Sequence, residues 1–202
     1  MGRWLGPKHK LCRKFGAKLC DSPKCPVARR SYPPGMHGPR QKNVKLSSFA
    51  KQLREKQKAK RLFGIMERQF ANYVASAGRK KGDTSKFFLA ALAARLDNVV
   101  YSAGLSASRA AARQAVSHGH LTVNGKRVSI PSYRVREGEV VAVRDTSRSR
   151  PLFANLAERI NKRELPAWLA VNANEWSAKI VGAPTLDPAP FDSQLIIGFY
   201  SR

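Results

Sequence analysis

Apolar side chains along this chain keep a helical period first and then switch to a strand period. Ser47 or Ser48 can N-cap a helix, and Lys51 to Arg61 is built of strong helix formers, with Glu55 and Lys58 at mutually supporting spacing. Gly64 punctuates the chain, and Met66 to Ala77 predicts a second helix with Phe70, Tyr73 and Val74 on one face. After the basic loop Gly78-Arg79-Lys80-Lys81-Gly82, an apolar stripe runs from Lys86 to Gly104. Leu89, Leu92, Leu96, Val99, Val100 and Ala103 recur in it at three- and four-residue intervals, which predicts one long amphipathic helix. Ser106 can cap the next helix, which ends at Gly119. That helix turns Ala111, Ala112, Ala115 and Val116 toward a core and places Arg109, Arg113 and Ser117 along another side.

The period then changes to two. His120-Leu121-Thr122-Val123, Asn124-Gly125 and Lys126-Arg127-Val128 predict a tight hairpin, because Asn-Gly tolerates the positive φ angles of a type I′ turn. Glu137-Gly138 predicts another turn and Glu139 to Val143 a strand. Arg144 to Arg150 is a polar connector, Leu152 to Lys162 a helix, and Leu195 to Tyr200 a docked strand or extended segment. Residues 1–46 are rich in Gly, Pro and basic side chains and read as irregular. The fold class is therefore α+β and mostly α-helical. A basic N-terminal arm (1–46) precedes a discontinuous helical domain (46–94 plus 145–202), with a helix-helix-β-hairpin module (95–144) inserted in it.

Charge decides the class of partner. The 202 residues carry 38 Lys and Arg against 13 Asp and Glu, a net charge of +25. Such an excess repels itself until a polyanion neutralises it, so nucleic acid is the expected partner. The imbalance is steepest in residues 1–60, with 17 basic and 2 acidic side chains. No apolar run approaches the roughly 20 residues of a membrane span, and the opening Met1-Gly2-Arg3-Trp4-Leu5-Gly6-Pro7 lacks the apolar core of a secretory signal. An odd number of cysteines points to a reducing, cytosol-like compartment.

All three cysteines of the chain lie close together. His9-x2-Cys12, then Cys20-x4-Cys25, offer four donors suited to one tetrahedral Zn²⁺, which would order a segment too polar to fold alone. The alternative is a decayed site with three free thiols. No nucleophile elbow, phosphate loop or paired-carboxylate signature stands out, so no enzyme activity is expected.

Several stretches together resemble one family. They are Met1-Gly2-Arg3, Arg30-Ser31-Tyr32-Pro33-Pro34-Gly35-Met36-His37-Gly38, Leu53-Arg54-Glu55-Lys56-Gln57-Lys58 and Glu67-Arg68-Gln69-Phe70. Further along come Arg95-Leu96-Asp97-Asn98-Val99-Val100-Tyr101, Ser117 to Gly125, Pro131-Ser132-Tyr133-Arg134-Val135 and Phe199-Tyr200-Ser201-Arg202. In this order they resemble the bacterial-type family of small-ribosomal-subunit protein four, weakly only over about 145–190. Residues 95–144 alone resemble the RNA-binding module named after that family, which also occurs in pseudouridine synthases and some tRNA synthetases.

The resemblance implies a cytoplasmic, non-enzymatic ribosomal protein, although a plastid-encoded copy fits as well. It implies primary binding of small-subunit ribosomal RNA at a 5′-domain helix junction and an early role in assembly. It also implies a place beside ribosomal protein five and the entering mRNA, and an influence on decoding accuracy shared with proteins five and twelve. Some family members carry a zinc knuckle of four cysteines and others none; here His9 takes the first cysteine's place and the middle loop is short.

Because side chains cannot enter the deep major groove of folded RNA, binding must rest on phosphates, 2′-hydroxyls and shape. The candidate contacts in the module are Ser108, Arg109, Arg113 and Gln114 on one helix, with Asn124, Lys126 and Arg127 at the hairpin. His118 and His120 flank Gly119 and either touch RNA or are structural. In the basic N-terminal third the candidates are Arg3, Arg54, Lys58 and Arg61, and Tyr32 and His37 either stack on bases or pin the loop. Two rivals are weaker. An RNA-modifying enzyme would need a catalytic domain of about 150 residues, and a zinc-dependent DNA binder would need a recognition helix with two-Cys two-His spacing.

Overall fold

The computed structural model describes residues 4, 6–40, 45–161, 163–186 and 188–201. These divide into two compact units: one holds the described residues of 1–85 and 188–202, the other those of 86–187. The fold is α+β and mostly helical, as the periodicity predicts.

The first unit is helical. α1 (Lys8–Phe15) buries Cys12 and Phe15 and stops at Gly16. It falls within a stretch read as irregular from composition; two apolar side chains on one face sufficed to dock a short helix. α2 (Ser48–Phe63) starts at Ser47, whose hydroxyl accepts the Ala50 N–H, and α3 (Glu67–Gly78) buries Phe70, Val74 and Ala77. α8 (Ser193–Tyr200) packs along α2 and corrects the expected extended segment. A short apolar run fits a strand or a buried helix equally well. The Asp192 carboxylate settles it by accepting the N–H groups of Gln194 and Leu195.

Two of the many cations of α2 are consumed inside this unit. Lys56 Nζ and Lys60 Nζ each lie 2.7 Å from a Glu67 carboxylate oxygen, and the Tyr200 hydroxyl donates to the same carboxylate at 2.7 Å. Lys56 is buried and sits 4.2 Å above the Phe199 ring. Burial works to raise the Glu67 pKa, but Lys56, Lys60 and Tyr200 outweigh it and bring it from 4.5 down to about 2. A depressed carboxylate pKa adds stability above the unfolded value that is lost as pH falls toward the folded one. Thermal melts from pH 5 to pH 2 should therefore drop more steeply for wild type than for Glu67→Gln. Parallel slopes would show that the cluster contributes nothing.

In the second unit, α4 (Thr84–Ala93) and α5 (Leu96–Ser102) replace the single long helix expected from the stripe. The break lies at Ala94-Arg95, whose backbone pairs with residues 133–135. Val135 N–H donates to Ala94 O and Leu96 N–H to Tyr133 O, both at 2.8 Å, with an Arg95–Arg134 bridge between them. α6 (Arg109–Ser117) is capped by Ser108, not Ser106.

The strands are β1 (Leu121–Val123), β2 (Lys126–Arg127), β3 (Val140–Val143), β4 (Leu169–Asn172) and β5 (Ser177–Ile180), in the antiparallel order β2-β1-β3-β5-β4. Asn124 and Gly125, at φ 48° and 77°, make the expected turn. The described residues of 145–187 belong to the second unit. β5 pairs with β3 through Val141↔Ala178 and extends the sheet. The helix expected over Leu152–Lys162 is a 3-10 turn at Pro151–Phe153 and α7 (Leu156–Asn161), separated by Asn155 at φ 58°; Lys162 lies outside the described residues. The core joins α5, α6 and the sheet through Leu96, Val99, Val116, Leu121, Val141 and Ile180, with Phe153 and Trp168 closing it. No helix among the described residues is long and apolar enough to cross a membrane.

Candidate metal centre and nucleic-acid interface

His9 and Cys12 sit three residues apart on α1, so both project from one side of the helix. The chain turns at Gly16 and runs back past them. Leu19 N–H donates to Cys12 Sγ at 3.3 Å, which sets Cys20 beside His9. Cys25 follows just before the 3-10 turn Pro26–Ala28. The ligand atoms of His9, Cys20 and Cys25 all lie within 4.8 Å of one another, and Cys20 Sγ is 3.7 Å from His9 Nδ1. A tetrahedral Zn²⁺ with bonds of about 2.0–2.3 Å holds its donors roughly 3.5–3.8 Å apart, so the set is nearly in place. The fully buried Cys12 thiol lies close by and interacts with both Cys20 and Cys25, beside the grouped donors His9, Cys20 and Cys25.

The thiols share protons unequally. Burial, with hydrogen bonds to Cys25 and Cys12, pushes Cys20 up to about 11. Burial also opposes ionisation of Cys25, but the Val27 backbone and the side chains of His9, Cys20 and Cys12 draw it down to about 7. Cys25 is therefore the thiol that yields its proton to a divalent cation most readily, and Cys20 the one that holds it longest.

The loop after this cluster is tied to α1. Arg13 donates to the carbonyls of Tyr32 and Pro33 at 3.2 and 3.0 Å, with its guanidinium 4.7 Å above the Tyr32 ring. Tyr32 therefore pins the loop, while His37 is exposed. Arg54, proposed from the charge pattern, reaches from α2 to the carbonyls of Lys14 and Phe15 at 3.5 and 3.1 Å and caps the end of α1. Lys58 pairs with Glu55 at 3.4 Å, and Arg61 stacks 3.9 Å above Trp4. Arg3 lies outside the described residues.

In the second unit the two arginines of α6 have different fates. Arg113 is turned inward, 9% exposed, with Nη1 3.3 Å from Asp97 Oδ2. Arg95, 1% exposed, grips the same carboxylate through Nε at 3.0 Å and Nη2 at 2.6 Å. Arg113, expected from the sequence to offer a guanidinium to RNA, joins a buried ion triad with Asp97 and Arg95. Arg109 stays near the surface, its guanidinium 4.1 Å above Tyr101 and its Nε donating to Asn98 Oδ1 at 3.4 Å. Ser108 is occupied as the helix cap, and Gln114 is exposed.

At the hairpin, Lys126 and Arg127 are exposed, and the Asn124 amide oxygen accepts the Val140 N–H at 2.8 Å, locking the turn to β3. His120 is buried and bonded to Ser147 Oγ at 3.1 Å, whereas His118 is exposed. Burial lowers the His120 pKa, and Arg150, His118, Arg127 and Arg144 lower it further. Those groups therefore surround one point on the sheet. Arg127 lies across Gly119, at φ 71°, where any Cβ would fall 2.3 Å from its Nε. Only glycine leaves room for that approach. Arg144 and Arg150 escaped the sequence reading because they sit just past a strand end and between two 3-10 turns, which carry no periodicity. The charge run in the polar connector was the available signal.

The comparisons agree with this geometry. Residues 3–93 match the family described as Ribosomal protein S4/S9 N-terminal domain, and residues 94–141 match the S4 domain. The chain is 48% identical to small ribosomal subunit protein uS4 of Pelotomaculum thermopropionicum over 210 residues. It is 47% identical over 211 residues to that of Thermus thermophilus and 45% identical over 206 residues to that of Chloroflexus aurantiacus. In each case the whole of both chains is covered.

Proposed function

Because the chain belongs to the uS4 family of small ribosomal subunit proteins, we propose that it binds small-subunit ribosomal RNA at a helix junction of the 5′ domain and fixes that junction early in assembly. As a family member it is a structural, non-enzymatic constituent of the ribosome that binds ribosomal RNA. The finer reading is supported above all by the cations whose charge bears on buried His120, namely Arg127, Arg144, Arg150 and exposed His118. Arginine forks on a fixed frame suit the phosphates and shape of folded RNA. Arg109, Gln114 and Lys126 extend this surface within the second unit, and the basic N-terminal third, Arg3 and Lys58 included, is proposed as a second RNA-binding surface of its own. Neighbouring small-subunit proteins, notably protein five, and the entering mRNA are its further partners. Through proteins five and twelve it influences decoding accuracy. We place it in the cytoplasm.

We also propose one structural Zn²⁺ held by His9, Cys12, Cys20 and Cys25. The ion would supply a cross-link that orders the arm after α1. The chain's own part is to hold four donors nearly in place through the Gly16 turn and the Cys12–Leu19 hydrogen bond.

The test is binding to a 5′-domain transcript against duplex DNA at matched salt. A surface meeting ~8 phosphates gives a salt slope of roughly −6 to −7 in log K against log salt. Arg150→Ala should make that slope shallower by about 0.7–0.9. Equal affinity for duplex DNA would dismiss the junction-specific reading.

A further inference from the structure

Beside the cations around His120, the second unit holds a feature that phosphate contacts alone do not explain. A cavity of ≈ 680 Å³ opens between the connector, the start of α7 and the β4–β5 loop, lined by Arg148, Arg150, Phe153, Asn155, Glu158 and Trp176. Its volume lies within the range of about 300–1,000 Å³ typical of small-ligand sites. Its floor is aromatic: Phe153 is buried, and its ring centroid lies 6.4 Å from that of half-buried Trp176. Its rim is cationic, with Arg150 shared with the cluster around His120.

Trp176 occupies an unusual position. Its φ is 56°, a left-handed conformation that bulky side chains rarely adopt and that Gly or Asn would fill without strain. The backbone is held there. Val143 N–H donates to the Trp176 carbonyl at 3.0 Å, and Asn172 Oδ1 accepts the N–H groups of Asn174 and Glu175 at 3.1 and 3.4 Å. A bulky residue kept by its neighbours in so uncommon a backbone conformation is a candidate for a functional role. Arg148 lies 5.7 Å from the indole centroid, fixed by the Glu175 carbonyl at 3.1 Å and Asp145 Oδ1 at 3.0 Å.

An apolar ring face beside fixed guanidinium groups is complementary to a base joined to its phosphate. We propose that this cavity receives the base of an unpaired ribosomal RNA nucleotide, stacked on the Trp176 indole, with the adjoining phosphate held by Arg150 and Arg144. This rests on the ribosomal RNA reading above and adds to it a site for a nucleotide splayed out of the helices, where folded RNA exposes its base faces. The rim favours RNA over a protein partner, because two arginines, Arg148 and Arg150, line the cavity with a single acid, Glu158.

The full chain, bound to the small-subunit ribosomal RNA of its own organism, is irradiated at short ultraviolet wavelength and digested. The expected result is a nucleotide cross-linked to the peptide carrying Trp176. Trp176→Ala should weaken RNA binding about tenfold without changing the salt slope, since stacking releases no counterions. Trp176→Phe should retain most of the affinity. The wild-type cross-link decides the matter even if Trp176→Ala fails to fold. Normal RNA binding without a cross-link in that peptide overturns the pocket while leaving the family reading intact. So does a folded Trp176→Ala chain of full affinity, including one that fails only to assemble with neighbouring ribosomal proteins. A wild-type chain that does not bind the RNA overturns both.

Discussion

Replacing Asp97 by alanine should cost about 3–5 kcal/mol of folding stability, because it withdraws the one carboxylate shared by two buried guanidinium groups. Arg95 binds it through two hydrogen bonds at 3.0 and 2.6 Å, and Arg113 adds a third at 3.3 Å. With Asp97 gone, two positive charges, one from the α4–α5 break and one from α6, stay in a site from which water is largely excluded. Asp97→Asn keeps the shape and an acceptor but loses the charge, so its cost should fall between wild type and alanine. Denaturant unfolding followed by far-ultraviolet circular dichroism reads both. A loss below about 1 kcal/mol for Asp97→Ala, the scale of an exposed pair, would mean that the arginines relax to other partners. The triad spans the break between α4 and α5 and the face of α6, so it also fixes where Arg109 emerges.

Metal removal should have the second large effect. Chain purified without chelator should carry about one Zn²⁺, the occupancy of a single four-donor site, and Cys20→Ser or Cys25→Ser should lose most of it. Because the ion would be the principal tie among His9, Cys12, Cys20 and Cys25, chelation should abolish hydrogen-exchange protection in α1 and up to Cys25. Protection in α6 and β3 should be unchanged. His9→Cys should bind the metal at least as well as wild type. Metal analysis showing none, with all three thiols reacting in the native chain, would sink the knuckle. Through Arg54, which caps the carbonyls of Lys14 and Phe15, a loosened α1 should also be felt by α2.

The helical period located α2, α3 and α6, and Asn124-Gly125 located the hairpin, because in those stretches local preference and burial agree. The cluster of His9, Cys20 and Cys25, with Cys12 close by, was legible from spacing alone. Other features were not. α8 looked like a strand, since a six-residue apolar run carries no period long enough to arbitrate, and the Asp192 cap weighs little until α2 supplies a surface. The stripe from Lys86 to Ala103 is continuous in sequence, yet residues 133–135 divide it by taking its backbone hydrogen bonds at Ala94 and Leu96.

The sequence by itself determined that this chain is cationic and mainly helical, suited to a nucleic-acid partner, with a cluster of candidate metal donors near its start, because composition, period and ligand spacing are local properties. Only the tertiary structure decided which cations remain for the partner. Arg109 and Arg113 are one helical turn apart and look alike in the sequence, but one lies over Tyr101 near the surface and the other is spent on Asp97. Arg144 and Arg150 belong to an unremarkable connector until β1 and β3 bring them to His120. The reason is electrostatic: a charge in a folded protein is worth what its nearest neighbours leave of it, and those neighbours come from distant parts of the chain.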